Sequence, residues 1–276
     1  MTKLSIITVN LNNSAGLRKT VESIWQKQTF TDLEHIIIDG ASKDNSKDVI
    51  REYQDKITYW VSEPDCGIYN AMNKGIRKAT GEYLLFLNSG DWLIDNILTN
   101  VFANPFDEDI VCCDIIYWYH KKKSRLVTFP DKIFLPNLIL QSLGHPSTFI
   151  HRELFKDNPY REDYKIISDW AFWIEELIIK NRSYRHINIA TTYYNMDGVS
   201  AKAENQKLIR SERSNFLTQT FSHRLDITSI QRDIEAIDII SKHQSEALTE
   251  SVWLQRSLRQ YLKFLFKIKQ IFKINR

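Results

Sequence analysis

Four short apolar runs recur in the first ninety residues, and each turns polar at its carboxyl end. Residues 4–9 are apolar and β-branched and are followed by the polar turn Asn10-Leu11-Asn12-Asn13. Residues 33–38 end at Asp39-Gly40-Ala41-Ser42, and residues 57–61 end at Ser62-Glu63-Pro64-Asp65. The fourth run is the apolar centre of residues 81–92, which closes on Asn88, Ser89 and Asp91. Runs this short, bounded by turn residues, read as buried strands. Between them the apolar positions fall at helical spacing: Leu17, Val21, Ile24 and Trp25 after a candidate N-cap at Ser14, then Val49, Ile50 and Tyr53 after Ser42 or Asp44. A short helix over 69–79 would close with Gly81 as its C′ residue. Alternating strand and helix predicts a parallel sheet with right-handed crossovers. Its carboxyl edge, where open α/β sheets bind ligands, would gather Asn10, Asp39, Asp65 and Asp91. Polar strand-ending turns are the plainer account of the same residues.

From Ile110 the pattern changes. Residues 110–119 read as a long strand, His120 to Arg125 as a basic turn, and 126–129 as the returning arm of a hairpin. A short strand over 147–150 fits after Pro146. Ser168 or Asp169 opens a helix whose apolar face holds Phe172, Trp173, Leu177 and Ile178. Residues 184–189 and 190–194 read as further strand, 195–200 as a loop, and the chain beyond Ala203 as helical. In the last helical segment Arg256, Arg259, Lys263 and Lys267 form one stripe, with Leu254, Leu258, Leu262, Leu265 and Phe272 on or near the opposite face. Such a basic amphipathic helix suits an anionic membrane surface, or docking on its own domain or a partner subunit.

The 276 residues allow one large domain or two small ones, and 43% hydrophobic content is enough for a sizeable core. A net charge of +3 is too small to imply nucleic acid. Its distribution matters more: after Glu250 there is no acid, while seven Lys and Arg follow. The amino end lacks a basic leader, no apolar run approaches the ~20 residues that span a bilayer, and three cysteines without a C-x-x-C pair suit a reducing cytosol. A cytoplasmic protein, peripheral on the inner face of a bacterial membrane, is the expected location. No G-x-G-x-x-G follows the first strand and no G-x-x-x-x-G-K-[ST] occurs, which disfavours dinucleotide dehydrogenases and P-loop enzymes. A nucleotide bound here would be held by acidic residues, its diphosphate balanced by a metal or by basic side chains. Asp91 and Asn88 are hard oxygen donors of the kind Mg²⁺ or Mn²⁺ accepts. Asp169 either favours its helix dipole or, among bulky aromatics, serves as a base. His145 taken alone reads as a buried, satisfied imidazole.

The ordered motifs Ser5-Ile6-Ile7-Thr8-Val9-Asn10, Ile38-Asp39-Gly40-Ala41-Ser42, Ser62-Glu63-Pro64-Asp65, Gly67-Ile68-Tyr69-Asn70-Ala71-Met72-Asn73-Lys74-Gly75, Phe86-Leu87-Asn88-Ser89-Gly90-Asp91, Gly144-His145-Pro146-Ser147 and Ser168-Asp169-Trp170 cover roughly residues 1–200. Together they resemble the family 2 glycosyltransferases of bacterial surface-polysaccharide synthesis. The resemblance implies an α/β, GT-A-type, Rossmann-like mixed sheet flanked by helices, with a C-terminal helical extension. The implied domains are 1–202, with a nucleotide-binding half (1–100) and an acceptor-binding half (101–202), and a helical region over 203–276. It implies that Asn10, Asp39, Asp65, Lys74, Asn88 and Asp91 bind a nucleotide sugar, most often a UDP-sugar. Asp91 would hold Mn²⁺ or Mg²⁺ as the last acid of the family's D-x-D, whose first acid is replaced here. Asp169 would be the general base of an inverting transfer, and His145 and Trp170 would line the acceptor or donor pocket. Lys74 and the Gly198-Val199-Ser200 loop fall near positions that contact donor phosphates. The acceptor would be a saccharide or a lipid-linked oligosaccharide, residues 250–276 would offer a peripheral membrane contact, and the C-terminal helices could pair into a homodimer.

Two other functions share these features. A sugar-phosphate nucleotidyltransferase has the same α/β start and acidic site but normally carries a glycine-rich loop after the first strand. A non-catalytic membrane adaptor could keep the fold with a reduced D-x-D.

Overall fold

A computed structural model describes residues 2–119, 123–198 and 202–221. The chain divides into two units, Met1–Leu217 and Thr218–Arg276. The first unit is built on a mixed sheet in the order β3-β2-β1-β4-β8-β6-β9-β5, with β7 paired to β6. The parallel part comprises β1 (Leu4–Asn10), β2 (Leu33–Asp39), β3 (Tyr59–Ser62) and β4 (Tyr83–Phe86). They are linked by α1 (Ser14–Trp25), α2 (Ser46–Glu52) and α3 (Ile68–Ile76), as the alternating pattern predicts. All seven residues of β1 are buried, which suits its mostly apolar sequence, and its buried Ser5 and Thr8 hydroxyls are met by Glu34 and His35 of β2.

The remaining elements are β5 (Trp92–Leu93), α4 (Ile97–Phe102), β6 (Ile110–Tyr119), β7 (Lys123–Val127), α5 (Leu135–Leu140), β8 (Thr148–His151), α6 (Leu154–Asp157), α7 (Ser168–Trp173), β9 (Tyr184–Asn195) and α8 (Gln206–Phe221). β8 runs antiparallel to both β4 and β6, while β6 and β9 are parallel. The hairpin forms as β6 and β7; its turn residues 120–122 lie outside the described residues, as does the basic amphipathic segment beyond residue 221. The expected break at 189/190 is absent, because β9 is one strand that absorbs two register shifts against β6. The compact unit runs past residue 202 because α8 packs Phe216 and Leu217 into its core.

Two expectations about caps are corrected. The cap of α1 is Asn13, whose side chain accepts from the Gly16 amide at 3.1 Å. Gly81 does not close α3, which ends at Ile76 with Arg77 as its cap. Gly81 is needed for a close approach to β1 instead. Its amide donates to Ser5 Oγ at 2.8 Å, and a Cβ there would come within 2.6 Å of the Ser5 backbone nitrogen. Gly81→Ala is therefore expected to cost about 1–3 kcal/mol, read as a lower urea midpoint at unchanged slope.

Register sets the site. Asn10 pairs with Asp39, and Asp39 with Ser62, so the polar strand ends stand side by side at one level of the sheet.

Candidate active site

The first polar cluster begins at Asp39, which is fully buried. Its Oδ1 accepts from Asn10 Nδ2 at 2.7 Å and Ser42 Oγ at 2.5 Å, and its Oδ2 from the Ser42 amide at 3.0 Å and Ser62 Oγ at 2.6 Å. Four internal donors saturate this carboxylate, so Asp39 shapes the turn over 40–42, where Ala41 sits at φ +57°. A direct contact from Asp39 to a nucleoside requires one of these donors to yield. Asn10 keeps a buried Oδ1 without a partner among the described residues. Asp65 is less enclosed. Its Oδ1 accepts from the Gly67 amide at 2.9 Å, and its Oδ2 lies 2.6 Å from where a Gly40 Cβ would be. Gly40 thus leaves the space that lets Asp65 reach over the end of β2. Lys74 is not held free for a phosphate: its ammonium binds Glu63 Oε1 at 2.7 Å and donates to the Pro64 carbonyl at 3.0 Å. That clamps the loop carrying Asp65.

The turn after β4 is fastened by α1. The Gly90 amide donates to Thr20 Oγ1 at 3.0 Å, and that hydroxyl lies 2.7 Å from the Asp91 carbonyl it can donate to. Asn13 Nδ2 donates to the Ser89 carbonyl at 3.0 Å, and Gly90 adopts φ +105°. Asp91 is 5% exposed, and the Asn195 amide donates to its Oδ1 at 2.8 Å. Burial pushes the Asp91 carboxyl up to about 7, opposed by that hydrogen bond. Asn88 Oδ1 is buried and has no partner among the described residues. A buried acid with one donor beside an unmatched amide oxygen is an oxygen donor set suited to a hard divalent cation. Among the described residues no cluster of three or more His, Cys, Asp or Glu side chains could hold a metal.

The second polar cluster is organised by α7. Asp169, its second residue, is half-buried, and the Tyr69 hydroxyl lies 2.7 Å from Oδ1. His145 stacks on Phe86 with ring centroids 4.8 Å apart, and its Nε2 lies 2.8 Å from the Tyr160 hydroxyl. Burial pushes the His145 imidazole down, against the raising effect of the Asp169 charge. His145 therefore joins β4 to the loop before α7, which Asn73 also grips through the Tyr160 amide and carbonyl at 3.0 and 2.8 Å. Trp170 does not line a pocket. It is 1% exposed and its indole donates to the Leu138 carbonyl at 2.7 Å, because the side chain after Asp169 turns into the core under α5. A cleft of about 360 Å³ opens between residues 66–70 and 162–165, with Tyr69 in its wall.

Sequence reasoning missed Tyr69, Tyr160, Asn195 and Arg213. Tyr69 stands inside a quoted motif, but nothing in its spacing marks it as a partner of Asp169. Arg213 lies on α8 with its guanidinium 4.7 Å above the Trp170 ring and a buried Nε without a partner among the described residues. Its neighbour Glu212 accepts from the Lys165 and Ile166 amides at 2.9 and 3.2 Å. Val199 and Ser200 of the loop expected near the phosphates lie outside the described residues.

Residues 5–156 match the family described as Glycosyl transferase family 2. The chain belongs to glycosyltransferase family 2. It is 30% identical over 200 residues to a PGL/p-HBAD biosynthesis glycosyltransferase of Mycobacterium bovis, a match covering 70% of this chain and 77% of that one. A shorter match, 42% identical over 88 residues, joins 32% of it to 34% of the length of an uncharacterized glycosyltransferase of Mycobacterium tuberculosis. Its fold is shared with S. aureus TarS 1–349 in complex with UDP-GlcNAc, at TM-score 0.65 and 16% identity over 92% of this chain and 77% of that one. A mannosyltransferase of Pyrobaculum calidifontis in complex with GDP-Man and Mn²⁺ aligns at TM-score 0.53 and 18% identity, over 80% of this family 2 chain and 63% of that one.

Proposed function

We propose that this family 2 chain is an inverting, metal-assisted glycosyltransferase that moves a sugar from a nucleotide-sugar donor to a saccharide or lipid-linked acceptor. One observation carries the reading. The sheet's carboxyl edge presents Asp65, Asn88 and Asp91, while Asp169 offers a half-buried carboxylate with Oδ1 pinned by Tyr69. That leaves Asp169 Oδ2 for a substrate hydroxyl.

In the transfer, the acceptor oxygen bonds to the anomeric carbon as the bond from that carbon to the diphosphate oxygen breaks. The acceptor's proton passes to Asp169 Oδ2. Attack in line, opposite the leaving diphosphate, would invert the configuration and needs no covalent sugar–enzyme intermediate. Asp65, in the space left by Gly40, is placed to meet the nucleoside, with Asp39 and Asn10 fixing the floor beneath it. Asp91 and Asn88 would hold a divalent cation, Mn²⁺ or Mg²⁺, which when bound neutralises charge on the leaving diphosphate. Holding both sugars in register supplies much of the remaining acceleration. The complexes of the structural neighbours with UDP-GlcNAc and with GDP-Man support a nucleotide-sugar donor. A lipid-linked acceptor would sit at a membrane surface; the mycobacterial relative is named for PGL/p-HBAD biosynthesis. Among the described residues no helix is long and apolar enough to cross a membrane. The basic residues of 250–276 would hold the enzyme at an anionic lipid surface, close to such an acceptor.

The test is calorimetric titration with UDP, GDP and CDP, each with and without Mn²⁺. One nucleotide is expected to bind in a Mn²⁺-dependent manner, and Asp91→Ala to abolish that dependence. Absence of binding by all three under both conditions would overturn the transferase reading.

A further inference from the structure

We infer that Tyr69 is the positioning residue of Asp169, its hydroxyl switching one hydrogen bond between the Asp169 carboxylate and the Ile166 carbonyl as the charge on Asp169 changes. The inference rests on the reading of Asp169 as the proton acceptor.

Tyr69 is the second residue of α3 and is 5% exposed. Its hydroxyl lies 2.7 Å from Asp169 Oδ1 and 2.7 Å from the Ile166 carbonyl oxygen. A phenol has one hydrogen to donate, so these two acceptors compete for it. Both are held still. Glu212 accepts from the Lys165 and Ile166 amides and so steadies the backbone just ahead of the Ile166 carbonyl, while α7 carries Asp169. The Tyr69 ring is braced against Tyr160, with centroids 5.6 Å apart. Burial first, and then the Asp169 charge, hold the phenol well above its ordinary range, so Tyr69 stays a neutral donor.

While Asp169 is ionised, the charge-assisted bond to Oδ1 is the stronger of the two. Oδ1 is thereby occupied, and Oδ2 is presented to the acceptor hydroxyl. When the acceptor's proton reaches Oδ2, the carboxyl becomes neutral and the Tyr69 hydroxyl can turn to the Ile166 carbonyl. No proton leaves Tyr69. The device therefore selects the reactive oxygen and favours the ionised base before transfer. The other titratable groups whose charges couple to Asp169 are His145 ahead of β8, Tyr160 ahead of α7, and Arg213 on α8.

The test is Tyr69→Phe, which keeps the ring and removes the hydroxyl, assayed beside the parent and Asp169→Asn. The assay follows release of nucleoside diphosphate from the nucleotide sugar whose diphosphate binds in calorimetry. For Tyr69→Phe, kcat is expected to fall by about tenfold or more, with donor KM within about twofold. The acid limb of its pH–rate profile is expected to move to higher pH, because a donor to the charged form has been lost. If Tyr69→Phe does not fold, 3-fluorotyrosine placed at residue 69 tests the same point. It is a stronger donor of nearly the same size, and the acid limb should move to lower pH. An unchanged kcat and acid limb in Tyr69→Phe beside an inactive Asp169→Asn would overturn the inference. So would a loss of rate equal at every pH, which marks a packing role alone. Parent-level turnover by Asp169→Asn would instead overturn the assignment of the base, and with it this inference.

Discussion

Asp169→Asn is expected to lower sugar transfer by about 10²–10⁴-fold while leaving nucleotide affinity within about twofold of the parent. The substitution is nearly isosteric. An asparagine oxygen can still accept from Tyr69, so the 2.7 Å contact that orients the side chain can persist. Trp170, whose indole is anchored to the Leu138 carbonyl, would continue to fix the start of α7. What the amide cannot do is take the acceptor's proton. The loss should therefore fall on kcat, with donor KM little changed, in steady-state assays paired with calorimetry of the nucleotide. A matching collapse of nucleotide binding would show that Asp169 supports the fold of the site. Full activity would place the base elsewhere.

Asp91→Asn is expected to stabilise the metal-free protein above pH 7 by an amount on the order of 4 kcal/mol, and to flatten its stability between pH 4 and 7. Burial holds the folded carboxyl at about 7, while an unfolded aspartate ionises near ~3.9. Between those values the folded state keeps a proton that the unfolded state has lost. The stabilising contribution is complete below about pH 4 and disappears as pH rises through about 7. Asparagine removes the buried charge and can still accept from the Asn195 amide. Urea melts at pH 5 and pH 8 without metal measure the difference. A parent that gains stability from pH 5 to 8 relative to the variant would overturn the argument. Mn²⁺ with the bound nucleotide should restore stability to the parent at pH 8 and do so less for Asp91→Asn, since a cation that binds the ionised carboxylate favours the folded state.

The parallel half of the fold was legible because β1 and β2 are mostly apolar buried runs, each ending in a polar turn. The register that sets Asn10, Asp39 and Ser62 side by side follows from those ends. The second half was less legible. β5 has two residues, α6 has four, and α5 is a six-residue apolar stretch with no clear period. Their identities come from tertiary packing, which overrides so short a local signal. At the site, residue types marked Asp65, Asp91 and Asp169, but types alone do not show who satisfies whom. Asp39 is an acid in the same pattern, yet four internal donors occupy it. Lys74 had the charge a phosphate needs, and Glu63 claims it. Arg213 lies 44 positions beyond Asp169 on a mostly polar helix and reaches the site by long-range packing, which no motif records.

The amide that steadies Asp91 belongs to Asn195, the last residue of β9 and 104 positions later in the chain. Synthesis proceeds from the amino end, and domains assemble from what has already emerged. The four parallel strands and the Asn88–Asp91 corner therefore leave the ribosome well before the strand that closes that corner. At ~5–20 residues per second, those 104 positions correspond to roughly 5–20 seconds of translation. The scaffold can be in place for that interval while the Asp91 carboxyl still waits for its partner, so a nascent chain holds the architecture before it holds the finished site.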